Sequence, residues 1–280
     1  MKGKICLVTG ASSGIGMATC TALSEIGAAV VMVCRDERRG KAAHAKVASQ
    51  SGNQSHDLIL ADLSSPASVR GLAAEFNAKY PRLDLLVNDA ATFLSKRVVT
   101  PEGLELMFAT NYMGPFLLTR LLIPKLEAAS PSRVINVSAP SSMRPDFDDL
   151  QGERAFGAIG AFGASKAADL LFTYALARKL EGRGVTVNAY HPGIVRTRLV
   201  RGAPPAVRII TGVLNVFMGV SAKRASQGLV HLASSADFEG TTGAVIHDGK
   251  TVKAPFSDDV EAQDRLWQIS CKLAELPEEV

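Results

Sequence analysis

The sequence predicts an α/β protein built on a doubly wound parallel sheet of about seven strands. Two observations predict this class. Short apolar runs rich in β-branched residues alternate along the chain with helical patterns. The first run, Ile5–Val8, leads into the glycine-rich stretch TGASSGIG at 9–16, which a helical pattern follows. Strands that are apolar on both faces are typical of parallel sheets that helices cover on both sides.

The predicted elements follow from these patterns in order. The predicted strands are Ile5–Val8, Ala29–Cys34, Asp57–Ala61, Leu83–Asn88, Arg133–Ser138, Val185–Tyr190 and, at an edge, Gly243–His247. The predicted helices are Met17–Ile26, Arg38–Ser51, Pro66–Lys79, Glu102–Leu126, Ala164–Gly182 and Lys223–Ser234. Because 280 residues with 47% hydrophobic content suffice for one large core, residues 1–280 are expected to form a single domain.

Composition excludes several classes of function. The net charge of +4 is mild and the basic residues are dispersed apart from 35–41, so we expect no nucleic-acid partner. The four cysteines have no metal-ligand spacing, so we expect no metal site and a reducing, cytoplasmic location. Since Met1 directly precedes the first strand, and no apolar run reaches the ~18 residues of a membrane span, neither a signal peptide nor a span is expected.

The glycine-rich loop has the spacing of a dinucleotide site. Gly10 would allow a tight turn, Gly14 a close approach of the backbone to a pyrophosphate, and Gly16 close packing of helix on strand. The helix that follows would point unpaired N–H groups and its positive dipole end at the phosphates. A plain strand-to-helix turn is the alternative. We expect the cofactor to bind at Gly10, Ser12, Ser13, Gly14 and Ile15.

Residues after the second and third strands bear on the choice of cofactor. An acid after the second strand is typical of NAD sites, whereas Arg35 there suits a 2′-phosphate. The sequence therefore favours NADP(H) over NAD(H), with Ser12, Ser13 and Arg35 at the phosphate end. Asp62 and Leu63, after the third strand, are candidate contacts for the adenine. A helix N-cap is the alternative, and Ser64 or Ser65 could serve that role equally well.

At this point the chain resembles a short-chain dehydrogenase/reductase. The motifs that carry the resemblance are TGASSGIG at 9–16, NDAA at 88–91, Asn111, Ser165-Lys166 and Pro192-Gly193. Details at 34–36, 110–119, 191–193 and 266–270 resemble the retinol-dehydrogenase-like branch. The resemblance implies a single Rossmann domain, a bound NAD(P), and a homodimer or homotetramer. It adds Asn88, Lys166, Pro192, Gly193 and Ile194 to the expected cofactor contacts.

The sequence departs from the family pattern at the catalytic positions. In the family a Tyr-x-x-x-Lys pair moves the proton, and here Phe162 takes the Tyr position before Lys166. The family Ser after the fifth strand aligns with Ala139, although a slip of one residue would restore Ser138. Lys166 and Asn111 remain. The expected catalytic set is therefore Lys166, Asn111, Ser138 and the altered position Phe162.

A phenyl ring cannot carry a proton, and positioned acid–base catalysis is worth ~10²–10⁴-fold. Four interpretations remain open. The chain is a reductase of C=N or activated C=C bonds, a non-redox enzyme such as a cyclase or isomerase, a non-catalytic cofactor-binding protein, or a laboratory Tyr→Phe variant. The accompanying Ala139, Asp89 and Ala91 argue for natural divergence.

Other groups could replace the missing hydroxyl, and other segments could shape the substrate site. Asp89 is a speculative base, and His191, Lys166 and the acidic loop at 146–149 are further candidates, each with a simpler structural role. The segments expected to line the substrate site are Met143–Ile159 and Arg198–Val220, with 198–222 as a lid and 255–280 as a C-terminal extension. The apolar lid predicts a lipophilic small-molecule substrate. A lipid-touching surface at Val207–Val220 is the rival interpretation.

Overall fold

The computed structural model describes residues 1–139, 141–195 and 219–280. Its centre is an eight-stranded sheet in the order β3-β2-β1-β4-β5-β6-β7-β8. The strands are β1 (Ile5–Thr9), β2 (Ala29–Cys34), β3 (His56–Leu60), β4 (Leu85–Asn88), β5 (Ser132–Val137), β6 (Val185–Tyr190), β7 (Val245–His247) and β8 (Lys250–Val252). Every pairing is parallel except β7 with β8. The strand order reverses between β1 and β4, the point where such sheets bind ligands.

Helices cover both faces of the sheet. They are α1 (Gly14–Glu25), α2 (Glu37–Ser51), α3 (Pro66–Lys79), α4 (Leu106–Phe108), α5 (Gly114–Glu127), α6 (Ala158–Lys179), α7 (Ala222–Ser234) and α8 (Val260–Leu273). One core lies between the sheet and α1, α2 and α7, and another lies between the sheet and α3, α5, α6 and α8. The doubly wound α/β fold is therefore confirmed.

The sheet has one strand more than the sequence predicts. Gly243–His247 was expected to form the edge, but β8 pairs outside β7 in an antiparallel hairpin. The turn is Asp248-Gly249, and both residues have positive φ values of 46° and 73°. An Asp-Gly pair is a strong hairpin signal, but the three-residue strand that follows is exposed and polar and shows no apolar run.

The predicted helix Glu102–Leu126 is interrupted. A turn of π-helix, Ala109–Met113, separates α4 from α5 and contains Asn111. Such turns occur often at functional sites because the extra residue redirects a side chain. The helical run Leu106–Glu127 is long and apolar enough to cross a membrane by length and composition, but 83% of its apolar window is buried inside the fold.

The C-terminal extension contains helix α8, which the sequence analysis did not predict. Trp267 on α8 is 2% exposed. Two cations lie over its ring, with Arg120 and Lys179 each 4.8 Å from the ring centroid. The indole N–H donates to the carbonyl of Glu278, and Arg120 donates to carbonyls of the same tail. The extension therefore packs on α5 and α6.

Most of the proposed lid, 198–222, lies outside the described residues.

Candidate active site

The glycine loop lies between the carboxyl ends of β1, β2 and β4. Gly10 has a φ of +68°, and a Cβ there would lie 2.9 Å from the Cα of Ala90. Gly14, with a φ of +62°, begins α1, and the side chain of Ser13 makes no capping hydrogen bond. The first N–H groups of α1 therefore have no side-chain cap. This glycine-lined cradle fits a pyrophosphate, as the spacing predicts.

Asp89 lies beneath the glycine loop. A Cβ on Gly16 would lie 2.7 Å from the carbonyl oxygen of Gly10 and 2.8 Å from Oδ2 of Asp89. The N–H groups of Asp89 and Ala90 both donate to Oγ1 of Thr9. Burial raises the pKa of Asp89 to about 7, although the charge of Lys166 and the N–H of Gly16 oppose the rise. The carboxyl group therefore titrates near neutral pH.

Asn88 lies under the site, inside the fold. Its side-chain amide donates to Oγ1 of Thr119 at 3.1 Å and to Oδ1 of Asn136 at 2.9 Å. Asn136 donates in turn to Oγ1 of Thr173. These bonds tie β4 and β5 to α5 and α6. The side-chain donors of Asn88, a predicted cofactor contact, are thus used within the protein.

Basic side chains gather at the end of β2. Nη2 of Arg39 donates to Oγ of Ser12 at 3.4 Å. Nη1 of Arg35 lies 4.0 Å from Oδ2 of Asp62, and the Arg35 side chain is 63% exposed. Asp62 also accepts from the backbone N–H and the hydroxyl of Ser64. The structure therefore brings Arg35 to Asp62, and Arg39 to Ser12, beyond the end of β2. The contact of Arg39 with Ser12 is an addition to the predicted site. In the sequence Arg39 belongs to no motif and is only one member of the basic run at 35–41.

Asn111 joins two parts of the site. Its Oδ1 accepts from the N–H of Thr92 at 2.7 Å, and its Nδ2 donates to the Thr92 carbonyl and to Oγ of Ser165. Ser165 Oγ donates to the carbonyl of Phe162 at 2.8 Å. The π-helical turn thus fixes the loop after β4 against the first part of α6.

Lys166 and Ser138 meet at the end of β5. The Lys166 ammonium donates to the carbonyl of Val137 at 3.0 Å and to Oδ2 of Asp169 at 2.8 Å. The Ser138 hydroxyl donates to the backbone carbonyl of Lys166. Burial raises the pKa of Asp169 to about 6, and the Lys166 charge opposes the rise. Asp169 was not among the predicted site residues, because its only signal in the sequence is an acid one helical turn after the lysine.

Phe162 forms part of an apolar wall. Its ring lies 5.5 Å from the ring of Phe93, measured between centroids. Ile159, one turn earlier on α6, is 55% exposed. Met143 packs on Gly163 so closely that a Cβ there would clash with its sulfur. The described part of the segment expected to line the substrate site is thus apolar beside Phe162.

His191 and the acidic loop make contacts within the protein. The ring of His191 lies 4.7 Å from that of His247, measured between centroids. Burial is the main cause that lowers the pKa of His191, and the charge of His247 is the second. The neutral form is therefore favoured at neutral pH. Asp149 accepts three backbone N–H groups of its own loop, and Asp148 pairs with Arg265. Both observations accord with the structural roles considered for these residues.

The segment after β6 completes the strand ends. Gly193 has a φ of +73°, and Ile194 is 39% exposed beside it. The carbonyl of Ile194 accepts from the N–H of Val220. Pro192, Gly193 and Ile194 therefore lie at the carboxyl end of β6, the same edge of the sheet as the glycine loop.

These features define an α/β dinucleotide-binding site at the switch point of the sheet. Residues 4–207 match the family described as short chain dehydrogenase, and the chain belongs to that family. Human retinol dehydrogenase 14 is 38% identical, over 96% of this chain and 86% of its own length. Human retinol dehydrogenase 11 is 36% identical, over 99% and 87%. The chain is thus related to the retinol dehydrogenases.

Solved structures agree with this assignment. An uncharacterised protein from Mycobacterium paratuberculosis superposes with a TM-score of 0.78 at 25% identity, covering 100% of this chain and 96% of that one. The Pseudomonas aeruginosa RhlG/NADP active-site complex superposes with a TM-score of 0.71 at 29% identity, covering 88% of this chain and 94% of that one.

Proposed function

We propose that the protein is an NADP(H)-binding oxidoreductase that acts on a lipophilic small molecule with altered catalytic residues. The observation that carries the proposal is the pairing of a glycine cradle with the basic corner of Arg35 and Arg39 beside Ser12. Arginine in that corner suits a 2′-phosphate, because its guanidinium can donate two hydrogen bonds to one phosphate. The RhlG relative, a member of the same fold, is named in complex with NADP.

The bound nucleotide would supply hydride transfer. The protein would supply orientation: the first turn of α1 would bind the pyrophosphate, and Lys166 would donate to a ribose hydroxyl. Phe162 would exclude water from the reacting carbon and hold no proton. Hydride addition to an iminium carbon gives a neutral amine and needs no proton. Hydride addition to an activated C=C bond gives a delocalised anion, which can take its proton from water away from this place. Both reactions therefore fit this site better than reduction of a ketone.

The substrate proposal depends on the apolar wall of Phe93, Phe162, Ile159 and Met143. The relatives named above are dehydrogenases of retinol, which is itself a lipophilic molecule. We propose a substrate of similar polarity. We also propose that the protein is cytoplasmic and that it forms a homo-oligomer.

The absence of a hydroxyl at Phe162 also favours a second candidate, a non-redox cyclase or isomerase that uses the cofactor for orientation. Both candidates are tested by titrating NADPH and NADH and then following reduced-nicotinamide absorbance with retinals, ketones and cyclic imines. Tight NADPH binding with oxidation by one class supports the reductase. Tight binding without oxidation by any class would favour the second candidate, and no binding would contradict both.

A further inference from the structure

Lys166 lies near two carboxyl groups. The first, Asp169, one turn further along α6, accepts its ammonium at 2.8 Å. The second is Asp89 under the glycine loop, close enough for the Lys166 charge to lower its pKa, although no hydrogen bond joins the two side chains. The Lys166 and Asp169 side chains are only 8% and 5% exposed. Water therefore screens this ion pair little.

The ammonium group of Lys166 has three N–H donors. Two of them are used, by Val137 and Asp169, and these partners fix the direction of the third. A lysine side chain is otherwise flexible about four carbons. Without the Asp169 charge, the ammonium would turn toward the remaining carboxylate, Asp89, beneath the glycine loop.

We propose that Asp169 is a positioning residue, which holds Lys166 away from Asp89 so that its third N–H remains available to the nicotinamide ribose. This inference rests on the proposed cofactor function, since the ribose is the intended acceptor. Asp169 itself is buried, so it would act on the cofactor only through Lys166.

The charged and titratable groups around Asp169 come from three elements. Lys166 lies on the same helix, Tyr112 on the π-helical turn, and Asp89, which senses the Lys166 charge, just after β4. At pH 8 Asp89 and Asp169 are both expected to be ionised, because burial raises their pKa values only to about 7 and about 6. Measurements at pH 8 therefore isolate the competition between the two carboxylates.

The test is a double-variant cycle of NADPH affinity at pH 8. Asp169→Asn keeps the shape but removes the charge, so we expect NADPH to bind at least tenfold more weakly. In Asp89→Asn/Asp169→Asn the competing acceptor is also neutral, and we expect affinity to return to within threefold of Asp89→Asn alone. A merely structural role for Asp169 predicts no such rescue. The control is Asp264→Asn, which should leave affinity unchanged. Asp264 is an exposed residue of α8, and it pairs with Arg178 on α6, the helix that also carries Asp169.

Unchanged affinity in Asp169→Asn, or weakened affinity without rescue, would overturn the proposal. If the wild-type protein does not bind NADPH, the proposed cofactor function fails, and nucleotide-free crystal structures of the wild type and Asp169→Asn decide this inference alone. The ammonium is then expected to move toward Asp89, and an ammonium still bonded to Val137 would overturn it.

Asp169→Asn could also fail to fold, which circular dichroism would show. The wild-type protein then gives the answer through the ¹⁵N resonance of the Lys166 ammonium, assigned with Lys166→Met. We expect that resonance to shift with a midpoint near the Asp169 pKa of about 6. A resonance that does not move between pH 8 and pH 5, or that moves only with a midpoint near the Asp89 pKa of about 7, would contradict the proposal.

Discussion

Phe162, the residue that the sequence predicts at the position of the family tyrosine, has a ring and no hydroxyl. Its backbone carbonyl still accepts from Ser165, which is bonded to Asn111, so the frame around the ring is complete. The neighbouring ring of Phe93 packs against it. The altered site is thus a packed apolar surface.

We expect Phe162→Tyr to leave the native activity unchanged or lower, because the surrounding site is built around a ring without a hydroxyl. The measurement is kcat/KM on the best substrate found by the absorbance panel. A gain of ~10²-fold or more would instead match the restoration of a missing acid–base group. Natural divergence would then be refuted in favour of an inactivated variant.

Arg35 gives the sharpest test of cofactor choice. Arg35→Asp places a carboxylate where a 2′-phosphate is proposed, so NADPH affinity should fall tenfold or more, while NADH affinity holds or rises. Isothermal titration with both nucleotides measures the two effects. Lys46→Asp makes the same charge change at an exposed position of α2 and serves as the control. Equal losses in both variants would point to general electrostatics.

Asp89 predicts a dependence of stability on pH. Its folded pKa of about 7 exceeds the unfolded value, so its contribution to stability is present at low pH and is lost as the pH rises through about 7. One pKa unit equals 1.36 kcal/mol. We therefore expect the free energy of unfolding of Asp89→Asn, relative to that of the wild type, to rise by about 2–3 kcal/mol between pH 5 and pH 8. Urea unfolding at both pH values measures this difference. Parallel behaviour of the two proteins would contradict it.

Among the secondary-structure elements, α1 has little room for a larger residue in its first turn. Gly16→Ala would place a Cβ within 2.8 Å of the Gly10 carbonyl and of Asp89, so we expect a loss of about 2 kcal/mol or more and weaker NADPH binding. Gly71→Ala is the matched control, because its Cβ on α3 would meet nothing within 4 Å. That change should be neutral or stabilise by about 0.5–1 kcal/mol. Equal effects of the two changes, measured by thermal unfolding, would be inconsistent with the geometry.

Elements with strong local signals were predictable from the sequence. The buried strands β2 and β6 match their predicted bounds, because continuous apolar runs leave little freedom in register. The hairpin strand β8 and the π-helical turn could not be predicted in this way. The first is too short and polar for a pattern, and the second depends on the contacts of Asn111 with Thr92 and Ser165.

Helix α8 covers one face of the fold, and we expect its packing to contribute to the stability of the whole molecule. Trp267→Ala would remove a ring buried among Phe116, Phe172 and two cations, at an expected cost of about 3–5 kcal/mol. Urea unfolding measures that cost. Val260→Ala, at a 44% exposed position of the same helix, should cost little by comparison. A loss below about 1 kcal/mol in Trp267→Ala would show that α8 packs loosely.

The candidate site was predictable where one stretch of chain supplies it, as in the glycine loop. Relations between distant stretches were not. The carboxyls of Asp89 and Asp169 lie 80 positions apart in the sequence, and only the fold brings both within reach of the Lys166 charge. Arg39 likewise becomes part of the candidate site only through its contact with Ser12, which lies in the glycine loop.

Trp267 is the only tryptophan in the sequence. Its fluorescence therefore reports one location, the seam between α8 and the helices beneath it, whereas circular dichroism averages over every helix and strand. If both signals change together in urea, the C-terminal segment unfolds with the sheet as one cooperative unit. If the emission changes first, the segment detaches while the nucleotide-binding half stays folded. The molecule thus carries its own optical probe of how tightly its parts are coupled.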